Sequence, residues 1–299
     1  MKNSLSILIL LTFVLVNQLY TQKPVKVKFE GGNLERSGSW TTIFKDEFAG
    51  NALDTSLWYT YYPYGPGSSD QCSFCRTHDT VISQQIYLDK NLKVNNGNLE
   101  IITLNEQCSW MGFNSSFSTG LVHSKRTFNN YYKYEIRCRI TEGTIFWPAF
   151  WMFGWSTEID VFEFMSTSTK DIFFNVHKWS DGKSFNKSKK YKGVDFAKDF
   201  HTYSVEYDPN FVNYFIDQKL VHQIPKYVKK NGKYIKKRNL KQGEYYLNPA
   251  FPATGDEIAV IVNNAVSTPR AFKRGELSKN TFPAIMYVDY IRVYQKSMP

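Results

Sequence analysis

Turn signals recur so densely along this chain that short strands are the element it can build most readily. "NLKVNNGNLEIIT" sets two alternating runs around Asn96–Gly97. That dipeptide favours a two-residue hairpin turn, whose central positions both need positive φ. "YVKKNGKYIKK" repeats the device with lysine-rich flanks. "YKYEIRCRI", "FHTYSVEYDP", "VNYFIDQKLV" and "MYVDYIRVYQ" alternate or run apolar like strands, with Gly, Asn, Asp and Pro between such runs. Helical periodicity is hard to find. Aromatic content reaches 17%, which favours strands and flat apolar binding surfaces. No repeat, long linker or low-complexity break interrupts the pattern. The expectation is an all-β jelly-roll sandwich over residues 25–299, two antiparallel sheets closed without edges.

The first residues, "MKNSLSILILLTFVLVNQLYTQKP", have a positive start and an apolar stretch at 5–16, followed by polar residues. The stretch is too short to span a bilayer, so 1–22 reads as a secretory signal peptide and no membrane span is expected. A secreted, periplasmic or cell-surface location follows. Export makes Cys72, Cys75, Cys108 and Cys138 candidates for structural disulfides with three possible pairings, free buried thiols being the alternative. A zinc site is not expected, because Cys108 and Cys138 lack the matching spacing and no His cluster completes one.

The formal net charge is +10, yet residues 219–241 hold eight Lys and one Arg with no acid. The basicity is therefore local. For an exported chain an acidic polysaccharide is the expected partner of such a patch, rather than nucleic acid.

"EIDVFE", residues 158–163, crowds three carboxylates into an apolar run. Side chains alternate faces in a strand, so Glu158 and Asp160 share a face while Glu163 should point away. A β-bulge between Asp160 and Glu163 would reverse the facing and bring all three into one cleft. The two glutamates are then about 13 Å apart along the backbone. Side chains leaning together would reach the roughly 5–5.5 Å carboxyl separation of a retaining glycosidase.

In the setting of "FSTGLVHSKRTF", "YYKYEIRCRITEG" and "FWPAFWMFG", this motif resembles the bulged active-site signature of glycoside hydrolase family 16, the laminarinase, agarase and carrageenase group. The likeness extends over about residues 40–295. It implies a jelly-roll sandwich with an open concave cleft for a polysaccharide chain, and an exported, endo-acting, retaining hydrolase acting as a monomer. Glu158 is implied as nucleophile and Glu163 as acid and base, with Asp160 between them raising the pKa of Glu163. Trp147, Trp151, Trp155 and Trp179 are candidate sugar platforms, Trp147 equally a core residue, and His177 is placed near the cleavage point. No cofactor is required for the chemistry. A structural calcium on the convex side is implied by some family members, and Asp289 is a candidate ligand for it.

The basic stretch 219–241, with the milder "KSFNKSKKYK" at 183–192, favours a sulfated algal galactan as substrate. Neutral β-1,3-glucan is the alternative. A jelly-roll lectin without catalysis is the reading from another class, and such proteins lose one or more of the acids that are all present here.

Overall fold

The computed structural model describes residues 25–31, 38–129, 131–165, 168–180, 182–253, 255–269 and 277–296 of the chain. The expected leader at 1–22 lies outside the described residues. Strands β1 to β5 are Lys26–Phe29, Trp40–Asp46, Trp58–Tyr59, Ile86–Tyr87 and Leu92–Asn95. Strands β6 to β10 are Asn98–Trp110, Phe113–Thr119, Leu121–Phe128, Tyr132–Arg139 and Phe146–Phe153. Strands β11 to β15 are Thr157–Glu163, Asp171–Ser180, Lys183–Lys192, His201–Tyr207 and Phe211–Ile216. Strands β16 to β20 are Lys219–Pro225, Tyr227–Val228, Gly243–Leu247, Ile258–Val266 and Ala284–Lys296.

Two large sheets stack to form the jelly-roll sandwich. One has seven strands in the order β13-β12-β11-β10-β19-β8-β3. The other has ten, ordered β16-β15-β14-β9-β20-β6-β7-β4 with β2 on β20 and β5 on β6. Pairing is antiparallel except between β4 and β7. Phe150, Met152, Ile159, Phe162, Phe174 and Val260 from the first sheet meet Tyr134, Ile136, Tyr203, Val205, Val288 and Ile291 from the second in one core cluster. Fully burying an apolar side chain of this size stabilises by about 1.5–3 kcal/mol. This shared core clamps the two sheets together and leaves the far face of the seven-stranded sheet open to carry chemistry.

One sequence expectation holds and three are refined. Asn96 and Gly97 take φ of 51° and 73°, and β5 pairs with β6 across them as the Asn-Gly signal requires. "VNYFIDQKLV" is two strands instead of one run. Asp217 and Gln218, at φ 49° and 64°, turn β15 back into β16. The second Asn-Gly turn forms at Gly232, but its hairpin shrinks to a single bridge between Val228 and Tyr234. Tyr227 and Val228 pair with β18 instead, in a small third sheet β1-β18-β17, and the lysines flanking the turn repel each other. The sandwich is also not closed without edges, since β13 and β16 each end a sheet.

Candidate active site

Strand β11 places the acids. At its start Glu158 pairs with Phe153 of β10 and His177 of β12, and Asp160 pairs with Trp151 and Asn175. Further on, Phe162 pairs with Phe150 and Glu163 with Ala149. Asp160 and Phe162 thus stand opposite consecutive residues of β10, and Val161 is the extra residue of a bulge. Paired residues of an antiparallel sheet share a face, so Glu158, Asp160 and Glu163 all project away from the core while Ile159 and Phe162 fill it.

The three carboxyls sit in a partly closed, polar pocket. Asp160 and Glu163 are buried and Glu158 nearly so. Trp147 Nε1 donates to Glu163 Oε1 at 3.0 Å, and Asn175 Nδ2 donates to Glu163 Oε2. Tyr214 Oη holds the Asn175 carbonyl at 2.8 Å. His177 Nε2 lies 3.5 Å from Asp160 and 3.8 Å from Glu158.

Burial, then the charge of Asp160 and that of Glu158, push the Glu163 carboxyl well above the usual carboxylate range. The Trp147 bond works against that rise. Glu158 is raised as well, by burial first and then by the charge and hydrogen bond of Asp160. Burial disfavours a charged His177. The bond to Asp160 and the charges of Asp160 and Glu163 outweigh it, and the ring is raised. Glu158, Glu163 and His177 therefore all hold protons more readily than they would in water. Such a group can protonate a leaving oxygen and present a carboxylate to a carbon centre.

Glu158, Asp160 and His177 are also the one His/Cys/Asp/Glu group among the described residues compact enough for a metal ion, with ligand atoms within 4.8 Å of one another.

Aromatic rings continue the face beside the acids. Trp151 donates through Nε1 to Asn263 Oδ1 at 2.8 Å and packs edge-on to Tyr62 and Phe153. Trp179 stacks on His177 at 6.2 Å and meets Phe153 edge-on. Tyr62 and Tyr64 stack at 5.5 Å, with Tyr64 edge-on to His123. Burial pushes the hydroxyl of Tyr62 above its usual range, and the ring contacts with Trp151 and His123 bring this loop onto the same face. His123 Nδ1 donates to the Ser124 carbonyl at 3.0 Å, which leaves Nε2 as an acceptor, and burial pushes its pKa down to about 4. Asn175, Asn263, His123, Tyr62 and Tyr64 were not singled out from the sequence. Only Asn175 had a signal there, two residues before His177 and so on the same face.

The sequence profile of glycosyl hydrolases family 16 matches residues 83–245, more than half of the 299 residues. The chain belongs to glycosyl hydrolases family 16. Among similar proteins, glucan endo-1,3-beta-glucosidase A1 of Niallia circulans is 27% identical over 282 residues. The match takes in 85% of this chain and spans 38% of that protein's length. Beta-glucanase of Rhodothermus marinus is 24% identical, with 87% of each chain covered. The catalytic domain of an endo-1,3-beta-glucanase (laminarinase) from Thermotoga petrophila superposes with a TM-score of 0.66 at 25% identity, covering 87% of this chain and 100% of that one.

Within this family 16 fold the other expected residues fall as follows. Trp147 is both core and site, since it is buried beside Ile82 and bonded to Glu163. Trp155 stands 87% exposed in the turn between β10 and β11, outside the ring cluster that holds Trp151 and Trp179. Asp289, the candidate calcium ligand, is paired with Arg137. Cys72 and Cys75 form a disulfide, whereas Cys108 and Cys138 are free. These two lie on different strands, β6 and β9, and Cys138 is buried in the sandwich core.

The basic stretch 219–241 begins on β16, in the other large sheet from the acids, and runs on through the small sheet. The 183–192 segment is β13, two strands from β11 on the acids' own sheet. Its one lysine in register with the Glu163 row, Lys190, bridges Asp171 at 2.7 Å.

Proposed function

We propose that this chain is an exported, endo-acting, retaining β-1,3-glucanase. The observation that carries the mechanism is the bulge at Val161, which puts Glu158 and Glu163 on one face. In this reading Glu158 attacks the anomeric carbon and forms a glycosyl-enzyme. Glu163, kept protonated by burial and by Asp160, donates its proton to the leaving oxygen and then takes one from the attacking water. Asp160 and His177 flank Glu158 and keep it in orientation. Trp151 and Trp179 offer ring faces to the C–H faces of sugars.

A neutral glucan is favoured over a sulfated galactan for two reasons. The relatives named above are known as glucanases. Of the two basic segments on which the galactan expectation rested, 219–241 belongs to other sheets than the acids and Lys190 of 183–192 is bridged to Asp171, while His123 offers the cleft an uncharged acceptor suited to a hydroxyl. Export belongs to the same proposal: residues 1–22 have the leader pattern, and the Cys72–Cys75 disulfide fits an oxidising compartment.

The test is reducing-end release and product sizing on laminarin, lichenan, agarose, porphyran and carrageenans, with Glu158→Gln as control. Rapid fragmentation of laminarin into oligosaccharides, abolished in Glu158→Gln, is expected. Cleavage of a sulfated galactan in preference to laminarin would overturn the substrate assignment.

A further inference from the structure

The lysine-rich segments that the catalytic reading leaves unused lie on one side of the molecule. Strand β13 begins the seven-stranded sheet and β16 begins the ten-stranded one, so both are open edges. They are brought together across the sandwich. His222 of β16 stacks on Phe174 of β12 at 6.3 Å, and Lys189 of β13 is in register with Phe174. From the end of β16 the chain continues along this side, because Ile235 and Leu240 pack on Phe211 of β15.

The charge here is of one sign. Residues 183–192 carry five lysines and 219–241 carry nine Lys and Arg, with no acid in either segment. Together they exceed the net charge of the whole chain, +10, so the rest of the molecule is net acidic. Lys187, Lys189, Lys229, Lys230, Lys233 and Lys236 are exposed. The crowding is felt by neighbouring groups. Burial, and then the charge of Lys189, lower His222 to about 4, and burial followed by the charge of Lys226 lowers Lys178. Bringing an anion to this side relieves that repulsion.

We propose that the β13–β16 side is a second glycan-binding surface, separate from the cleft, that holds an acidic polysaccharide while the cleft works on its own chain. Charge complementarity selects a polyanion. A nucleic acid is the poorer fit, since single strands are held by stacking on exposed rings and Phe185, Tyr191 and Tyr234 are packed against the core here. Lysine acts as a point charge that needs no fixed geometry, which suits the irregular sulfate or carboxylate spacing of an acidic glycan. At about 3.3 Å per residue, β13 alone offers a rail of about 33 Å.

The test uses the full chain with dextran sulfate, neutral dextran and single-stranded DNA as probes. Wild type is expected to bind dextran sulfate at low salt, to ignore neutral dextran, and to release the polyanion near 1 M salt, where the Debye length is about 3 Å. A variant with Lys187, Lys189, Lys229, Lys230, Lys233 and Lys236 changed to Gln should bind about tenfold or more weakly. Each exposed contact contributes only a small share of that loss. Its thermal midpoint and its kcat/KM on laminarin should match wild type, and the binding result stands whatever polymer the cleft cleaves. The proposal falls if wild type does not bind dextran sulfate, if the variant binds it equally, if DNA binds more tightly, or if the variant loses catalytic rate.

Discussion

Replacing Trp147 with Phe tests how Glu163 is tuned. The indole is buried and donates to Glu163 Oε1 at 3.0 Å. A hydrogen bond to a charged acceptor contributes about 1.5–3 kcal/mol and one to a neutral acceptor about 0.5–1.5. The bond therefore favours the ionised form of Glu163 by about 1 kcal/mol, or about 0.7 pH units at 1.36 kcal/mol per unit. Phenylalanine keeps most of the ring but cannot donate, so the Glu163 pKa should rise further by about that amount. As the acid of the first step, Glu163 works only while protonated, and activity falls as pH climbs through its pKa. The alkaline limb of kcat/KM on laminarin should accordingly move up by about 0.7 units. An aryl glycoside with a good leaving group needs no proton for that step and should show little change. An alkaline limb that stays put, or moves toward acid, would refute the role given to the Trp147 bond.

Glu163→Gln should stabilise the fold as pH rises. The native carboxyl is raised, so above the ordinary Glu value of about 4.3 the folded state holds a proton that the unfolded state has lost, and wild type weakens through that window. Asn175 can turn its amide to meet the new side chain. A Tm gain of about 2–4 °C at pH 8, absent near pH 4, is expected by calorimetry for about 1 kcal/mol. Deleting Val161 removes the bulge yet leaves Phe162 facing the core and Glu163 on the face of Glu158 and Asp160, because the residue lost is the extra one. Activity should persist at a reduced level, while the unfolding free energy from urea melts should fall by about 1.5–3 kcal/mol for the lost buried Val161 side chain. Alkylation of the denatured, unreduced protein should label two thiols per chain, on Cys108 and Cys138, as read by mass spectrometry.

Legibility followed the range of the interactions. The Asn96–Gly97 turn and the alternation of β9, β14 and β20 are local, so the sequence pattern shows them. The bulge was legible because Glu163 stood at the wrong parity for a residue wanted beside Glu158. His177 could be placed with the acids because it matched a position in the family likeness. What escaped depends on strands far apart in sequence. The Asn263–Trp151 bond joins β19 to β10, and Tyr62 and Tyr64 reach the cleft through a loop with no strand register of its own. Cysteine pairing stayed open for the same reason, since spacing says nothing of whether Cys138 faces the core. The lysine stretch was visible as charge, but which sheet edge carried it was a matter of topology.

The account rests on double displacement through Glu158, and the anomeric configuration of the first product tests that most directly. Proton NMR of laminarin digested for a short time by wild type should show the β anomer at the new reducing ends before mutarotation brings in the α form. Initial appearance of the α anomer would mean that water attacks directly, and the assignment of Glu158 as nucleophile would be wrong.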